Sequence, residues 1–132
     1  MMVLVDTSVW SLAFRKKGPA DHPKVRALTE LIEQGEDIAL IGVVLQELLQ
    51  GLPTDASFRK LKRHLEAFPL LALERQDYVL AAALRRACRK DGVTATTIDC
   101  LIAAAAIRHQ CALLTTDRDF EYIAARSQLR LI

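Results

Sequence analysis

Five carboxylates occupy positions where chemistry can use them. Asp6 directly follows the apolar run at 3–5, Asp117 and Asp119 follow the run at 112–115, Asp99 opens the periodic stretch at 98–109, and Glu47 borders the leucine stripe of 43–50. Two carboxylates about 4 Å apart repel by roughly 4 kcal/mol at an effective dielectric near 20. A group of four must therefore protonate, disperse or bind a cation. No Lys or Arg adjoins Asp6, Glu47 or Asp99 in the sequence, and Arg118 alone adjoins Asp117. A divalent cation is the natural counter-charge. Oxygen ligands without His or Cys select a hard ion, Mg²⁺ or Mn²⁺, and such an ion activates water and steadies charge on a phosphoryl group. Each acid alone also has a quieter role. Asp117 and Asp6 can cap the segments that follow them, Asp99 can close a capping box with Thr96, and Glu47 can be a solvated helix residue.

Short apolar runs alternate with longer stretches of helical period. Strands are expected at 3–5, 38–41, 70–73, 112–115 and 129–131. Helices are expected at 22–34, with Val25, Leu28, Leu31 and Ile32 on one face, and at 43–50, with Leu45, Leu48, Leu49 and Leu52 in the i, i+3, i+4, i+7 pattern. Gly35 stops the first of these, and Gly51 with Pro53 stops the second. Further helices are expected at 56–68, 75–90, 98–109 and 119–126, the 98–109 helix turning Ile98, Leu101, Ile102 and Ala105 to the core. Strands alternating with helices imply a parallel sheet covered on both faces. Ligands bind such sheets beyond the carboxyl ends of the strands, the edge at which Asp6, Asp117 and Asp119 stand.

The 132 residues suit a single domain, 1–132, with a real core. A hydrophobic fraction of 52% with 26% charged residues excludes disorder. The longest unbroken apolar run, 100–107, is too short to span a bilayer, and the apolar start meets Asp6 too early for a signal peptide. A cytoplasmic protein without a membrane partner is expected. Cys88, Cys100 and Cys111 lack metal-ligand spacing and are expected to be buried free thiols. His22, His64 and His109 stand alone and suggest no zinc site. With aromatics at 5%, an extended base-stacking platform is not expected. Trp10 and Phe14 read as core or partner-facing residues. Basic residues cluster at Arg15, Lys16 and Lys17, at Arg59, Lys60, Lys62 and Arg63, and at Arg85, Arg86, Arg89 and Lys90. Each cluster is a solvated face or a phosphate contact, and Arg15–Lys17, just after the first acid, is the favoured RNA contact.

Four segments together resemble the PIN-domain family, and within it the VapC-type toxins of toxin–antitoxin pairs. They are Val5-Asp6-Thr7-Ser8-Val9-Trp10, Gln46-Glu47-Leu48-Leu49-Gln50-Gly51, Thr97-Ile98-Asp99-Cys100-Leu101-Ile102-Ala103-Ala104, and Leu114-Thr115-Thr116-Asp117-Arg118-Asp119-Phe120. Their order, their spacing and the total length agree with the family. The resemblance implies a three-layer α/β/α fold around five parallel strands, and a metal-dependent endoribonuclease. It assigns Asp6, Glu47, Asp99 and Asp117 to the catalytic metal site, with Asp6 and Asp99 the most direct ligands and Glu47 a base for the attacking water. Asp119 is accessory, and Thr7 and Thr116 are small polar supports. Because water is the nucleophile, a 5′-phosphate and a 3′-hydroxyl are the expected products. The resemblance also implies a homodimer and a cognate antitoxin that covers the acidic groove.

Other readings differ at particular residues. A phosphatase of the haloacid-dehalogenase type needs a second Asp two places after the first, where this chain has Ser8, and a phosphate-binding Lys is not evident. A non-catalytic interaction module would have no need of all four acids. A PIN nuclease of RNA processing outside toxin–antitoxin systems shares the same site. The formal charge of +2 conceals a division: five of the 16 Asp+Glu belong to the acid set, and the other eleven face 18 Lys+Arg, a surplus of seven. An acidic pocket set in a basic surface suits a polyanionic substrate.

Overall fold

The computed structural model describes residues 1–14 and 22–132. Arg15, Lys16 and Lys17 lie outside the described residues. The chain runs β1 (Met2–Val5), α1 (Thr7–Ala13), α2 (Pro23–Glu33), β2 (Asp37–Ile41), α3 (Gly42–Gln50), α4 (Asp55–Leu65), β3 (Leu70–Leu71), α5 (Arg75–Lys90), α6 (Thr97–Arg108), β4 (Ala112–Leu114) and α7 (Asp119–Ala124). Element boundaries follow local chemistry. Pro23 opens α2 behind the His22 cap. Gly35 takes φ 75° just after that helix, a left-handed position that favours glycine. Thr54 and Ser57 close a capping box on α4.

The strands form one parallel sheet in the order β3-β2-β1-β4, with Val3 paired to both Ile38 and Ala112 and Leu40 paired to Leu70. The connections from β1 to β2 to β3 run through α1–α4, and the right-handed rule for parallel crossovers puts these helices on one face. The return from β3 across the sheet to β4 puts α5 and α6 on the other face. The contacts agree: α1 touches α2 and α3, α3 touches α4, and α5 and α6 pack on each other and on α7. The result is the expected three-layer α/β/α arrangement, with Val3, Leu4, Val5, Ile41 and Leu113 sealed at its centre.

Two expectations need correction. The sheet has four strands among the described residues, not five, because the stretch at 129–131 gives a single parallel bridge, Leu113 with Leu131. Two backbone hydrogen bonds make that contact, Arg130 O accepting from Leu113 N and Ile132 N donating to Leu113 O. Leu129 turns into the core instead of extending the ladder. The core face of α6 is also rotated from the expected one. Ile98 is exposed and Leu101 half-buried, whereas Cys100 and every residue from 102 to 106 are buried. The helix packs on β4, α5 and α7 together, so its alanine run is enclosed nearly all round and a one-sided stripe does not describe it.

Candidate metal centre

Asp6 sits where β1 gives way to α1. Its backbone N–H donates to Leu114 O at 2.9 Å, joining the ends of β1 and β4, and its carbonyl accepts the first helical N–H groups of α1. Its side chain makes no cap, which leaves the carboxylate for other work. That carboxylate is nearly buried, and its Oδ2 accepts from Ser8 Oγ at 2.8 Å and from Thr115 Oγ1 at 2.9 Å. Both bonds fall on one oxygen.

The loop after β4 is held to the same residues. Thr116 N donates to Ser8 Oγ at 3.1 Å and Asp117 N donates to Thr115 Oγ1 at 3.0 Å. Asp119 N then donates to Asp117 Oδ1 at 2.9 Å; the N-cap of α7 is Arg118, not Asp117, so the expected cap is replaced by a turn just before the helix. These bonds fold 115–119 into a tight turn and bring its two acids towards the first turn of α6. There Thr96 caps the helix by accepting from Asp99 N at 3.0 Å. Carboxylate oxygens of Asp99, Asp117 and Asp119 lie within 4.8 Å of one another.

The structure thus groups Asp99, Asp117 and Asp119, with Asp6 close enough for its charge to act on Asp99. Glu47 is not in the three-acid set. It reaches the site through Thr7, whose Oγ1 donates to Glu47 Oε1 at 3.0 Å beside Asp6. Thr7 therefore holds Glu47, while Thr116 contributes its backbone N–H. The sequence reading missed Ser8 and Thr115 as the groups that fix Asp6.

Electrostatically the site is unbalanced. Burial lifts the Asp99 carboxyl above the ordinary carboxylate range; hydrogen bonding from Thr96 opposes the rise, and the negative charges of Asp117 and Asp6 add to it. Among the described residues, none of the five acids takes part in an ion pair. The neighbouring Arg118 leans towards Glu121 instead, at 3.8 Å. At 4.8 Å an ionised pair repels by roughly 3 kcal/mol at an effective dielectric near 20, and by less where Asp119 meets solvent. The donor set fits a hard divalent ion. Oxygens bound to one octahedral Mg²⁺ at about 2.1 Å stand about 3 Å apart when adjacent and about 4.2 Å when opposite, so the three acids have to draw together on an ion. The three cysteines are free and buried, and burial pushes the Cys100 and Cys111 thiols up, which keeps them as inert packing.

Comparison with known proteins places these features in context. The PIN domain family matches residues 3–126. The chain is 37% identical to ribonuclease VapC11 of Mycobacterium tuberculosis, over 98% of this chain and 96% of that protein. In fold it resembles VapBC2 of Rickettsia felis bound to a promoter DNA fragment, with TM-score 0.82 and 23% identity over 100% of this chain and 98% of that one. It also resembles VapBC-5 of Mycobacterium tuberculosis, a member of the VapBC family of toxin–antitoxin systems, with TM-score 0.68 and 21% identity over 99% and 97% of the two chains.

Proposed function

The chain belongs to the PIN-domain family, and from that membership we infer that it is an endoribonuclease, the toxin of a toxin–antitoxin pair. The observation that carries the chemistry is the group of acids at the carboxyl edge of the sheet with no cation paired to it among the described residues. We assign the activity to Mg²⁺ or Mn²⁺ held by Asp99, Asp117 and Asp6, with Asp119 a further ligand and not merely an accessory. When bound, the ion lowers the pKa of a water and neutralises charge that develops on the phosphodiester.

The protein's own groups supply position and a proton acceptor. Ser8 and Thr115 hold one oxygen of Asp6 and so aim the other. Thr7 fixes Glu47 Oε1, leaving Oε2 to take the proton of the attacking water as general base. With water as nucleophile and the 3′-oxygen as leaving group, the P–O3′ bond breaks and cleavage leaves a 5′-phosphate and a 3′-hydroxyl. The partners of this reading are an RNA substrate, a cognate antitoxin that covers the acidic groove, and a second copy in a homodimer. The setting is the cytoplasm, and the unit is one domain over 1–132. No helix among the described residues is long and apolar enough to cross a membrane.

The deciding experiment is cleavage of single-stranded RNA by the purified chain with Mg²⁺, with Mn²⁺ and with EDTA, alongside Asp6→Asn and Asp99→Asn. Cleavage is expected with either metal and is expected to vanish with EDTA and in both variants. Hydrolysis that survives chelation, or either substitution, overturns the assignment.

A further inference from the structure

We propose that the groove between α5 and α6 is a nucleotide subsite that takes a base and its phosphate from the RNA strand beside the scissile bond. The inference rests on the ribonuclease reading above. The groove encloses about 450 Å³, within the range of small-ligand pockets. Its floor is apolar, made by Ala81, Ala82 and Leu101, and Tyr78 stands at its edge more than half exposed. Arg85, Arg86 and Arg89 form its rim. A nucleobase has apolar faces that suit such a floor and an aromatic edge, and guanidinium groups bind phosphate in a fork geometry.

Charge selects the occupant. No acid lines the groove, and among the described residues none of its three arginines is in an ion pair. The helix dipole accounts for basic residues in the last turn, Arg89 and Lys90. Arg85 and Arg86 lie a turn earlier, where that benefit has faded. A second copy of the chain, packed about a two-fold axis, would bring the same arginines face to face, which disfavours self-association on this rim. RNA supplies the missing negative charge.

Position connects the groove to the reaction. Thr97, the first residue of α6, lines it, and Asp99 is two residues further along the same helix. At 100° per residue the two side chains leave opposite flanks of the helix, so the strand must pass round its N-terminal end. That detour is about one helix diameter, roughly 10 Å, a short stretch of single strand.

The test uses a fluorescein-labelled single-stranded RNA, read both by anisotropy without metal and by cleavage with Mg²⁺. The Arg85→Ala/Arg86→Ala/Arg89→Ala variant is expected to raise KM and Kd at least tenfold with kcat within about twofold. Its slope of log affinity against log salt should fall by about 0.7 for each phosphate that the arginines no longer neutralise. Tyr78→Ala is expected to weaken binding about fivefold at an unchanged salt slope. The control, Arg59→Ala/Lys60→Ala on α4, removes charge away from the groove and should shift Kd less than twofold. Equal losses from α4 and α5 would reduce the effect to general electrostatics and overturn the subsite. So would an unchanged Kd in the triple variant, or a change of oligomeric state in sedimentation with RNA affinity intact, which would make the groove a protein interface. Groove-dependent binding without any cleavage sinks the hydrolase reading alone, and cleavage with groove-independent binding sinks the subsite alone.

Discussion

The two ends of α6 treat buried negative charge in opposite ways. At its C-terminal end Arg108 and His109 close on Asp77 of α5, a fully buried carboxylate whose Oδ1 lies 3.2 Å from Arg108 Nη1 and 3.5 Å from His109 Nε2. Its Oδ2 accepts from Glu74 N at 2.7 Å and so completes a capping box. Neither contact of Oδ1 has hydrogen-bond geometry, so the attraction of Arg108 there is ionic rather than directional. At the N-terminal end Asp99 meets Asp117 and Asp119 with no cation paired to any of them among the described residues. A structural acid in this fold carries its counter-charge in the chain. The acids at the sheet edge have no such partner among the described residues, and that separates the clasp from the proposed metal site.

The largest expected effect tests the clasp. Asp77→Ala removes the partner of Arg108 and the cap of α5, and should lower unfolding stability by about 3 kcal/mol. That is the low end for breaking a buried pair, because the Arg108 side chain is 32% exposed and can return to water. Urea unfolding measures the loss, and Mg²⁺ affinity of the folded protein should be unchanged. An equal loss of metal affinity would mean that the two ends of α6 are not independent.

Next is the opposite case. Asp99→Asn should cut RNA cleavage by at least about 100-fold, beyond what loss of an outer support costs, while the metal-free protein melts at the same temperature or slightly higher. Removing a charge that its surroundings repel relieves strain in the empty site. A melting temperature lowered by several degrees, worth roughly 1 kcal/mol or more in a chain of this size, would show Asp99 to be a structural acid like Asp77.

A smaller effect is expected at the supports. Thr115→Val keeps the side-chain volume but removes the hydroxyl that donates to Asp6 and accepts from Asp117 N. Metal affinity should fall about 10-fold, as for other groups that orient ligands. The comparison is Thr29→Val on α2, whose hydroxyl donates to Val25 O within its own helix, and which should leave metal binding untouched. Similar losses at both threonines would place the effect in general stability.

What the sequence announces, and what it hides, follows the range of the interactions. The α/β alternation was legible because each apolar run is bounded by local signals, such as Gly35 after α2 and Gly51 after α3. Asp6 and Asp117 were legible as acids that end strands. Asp119 was legible as an acid at the same edge but only as an accessory, because its approach to Asp99 depends on a turn closed by Thr115 and Asp117. The expected support, Thr116, holds Ser8 through its backbone, while its neighbour Thr115 turns its hydroxyl to Asp6. The missing fifth strand and the rotated face of α6 belong to the same class, since pairing and enclosure by α5 and α7 are set by tertiary contacts. Nothing in local spacing joins Asp77 to His109, and nothing placed a groove between Arg85 and Thr97.

The finest distinction between the two ends of α6 is their response to protons. Burial first, and then the charges of Asp117 and Asp6, keep Asp99 protonated to a higher pH in the folded chain than in the unfolded one. The ionised form is the one the fold disfavours. The metal-free protein therefore carries the full cost of this group above its raised pKa, and that cost disappears as pH falls through that value towards the ordinary carboxylate range. Metal reverses the sign, because an ion binds the carboxylate and competes with its proton. Melting temperatures of the wild type minus those of Asp99→Asn should rise on acidification from pH 7 without metal, and fall over the same window with saturating Mg²⁺. The ion must add least stability at the acid end. A difference that does not change sign on adding Mg²⁺ would mean that Asp99 is not a ligand. The same subtraction made with Asp77→Ala in place of Asp99→Asn should show no dependence on Mg²⁺ at any pH, since no ion is called for where Arg108 already stands.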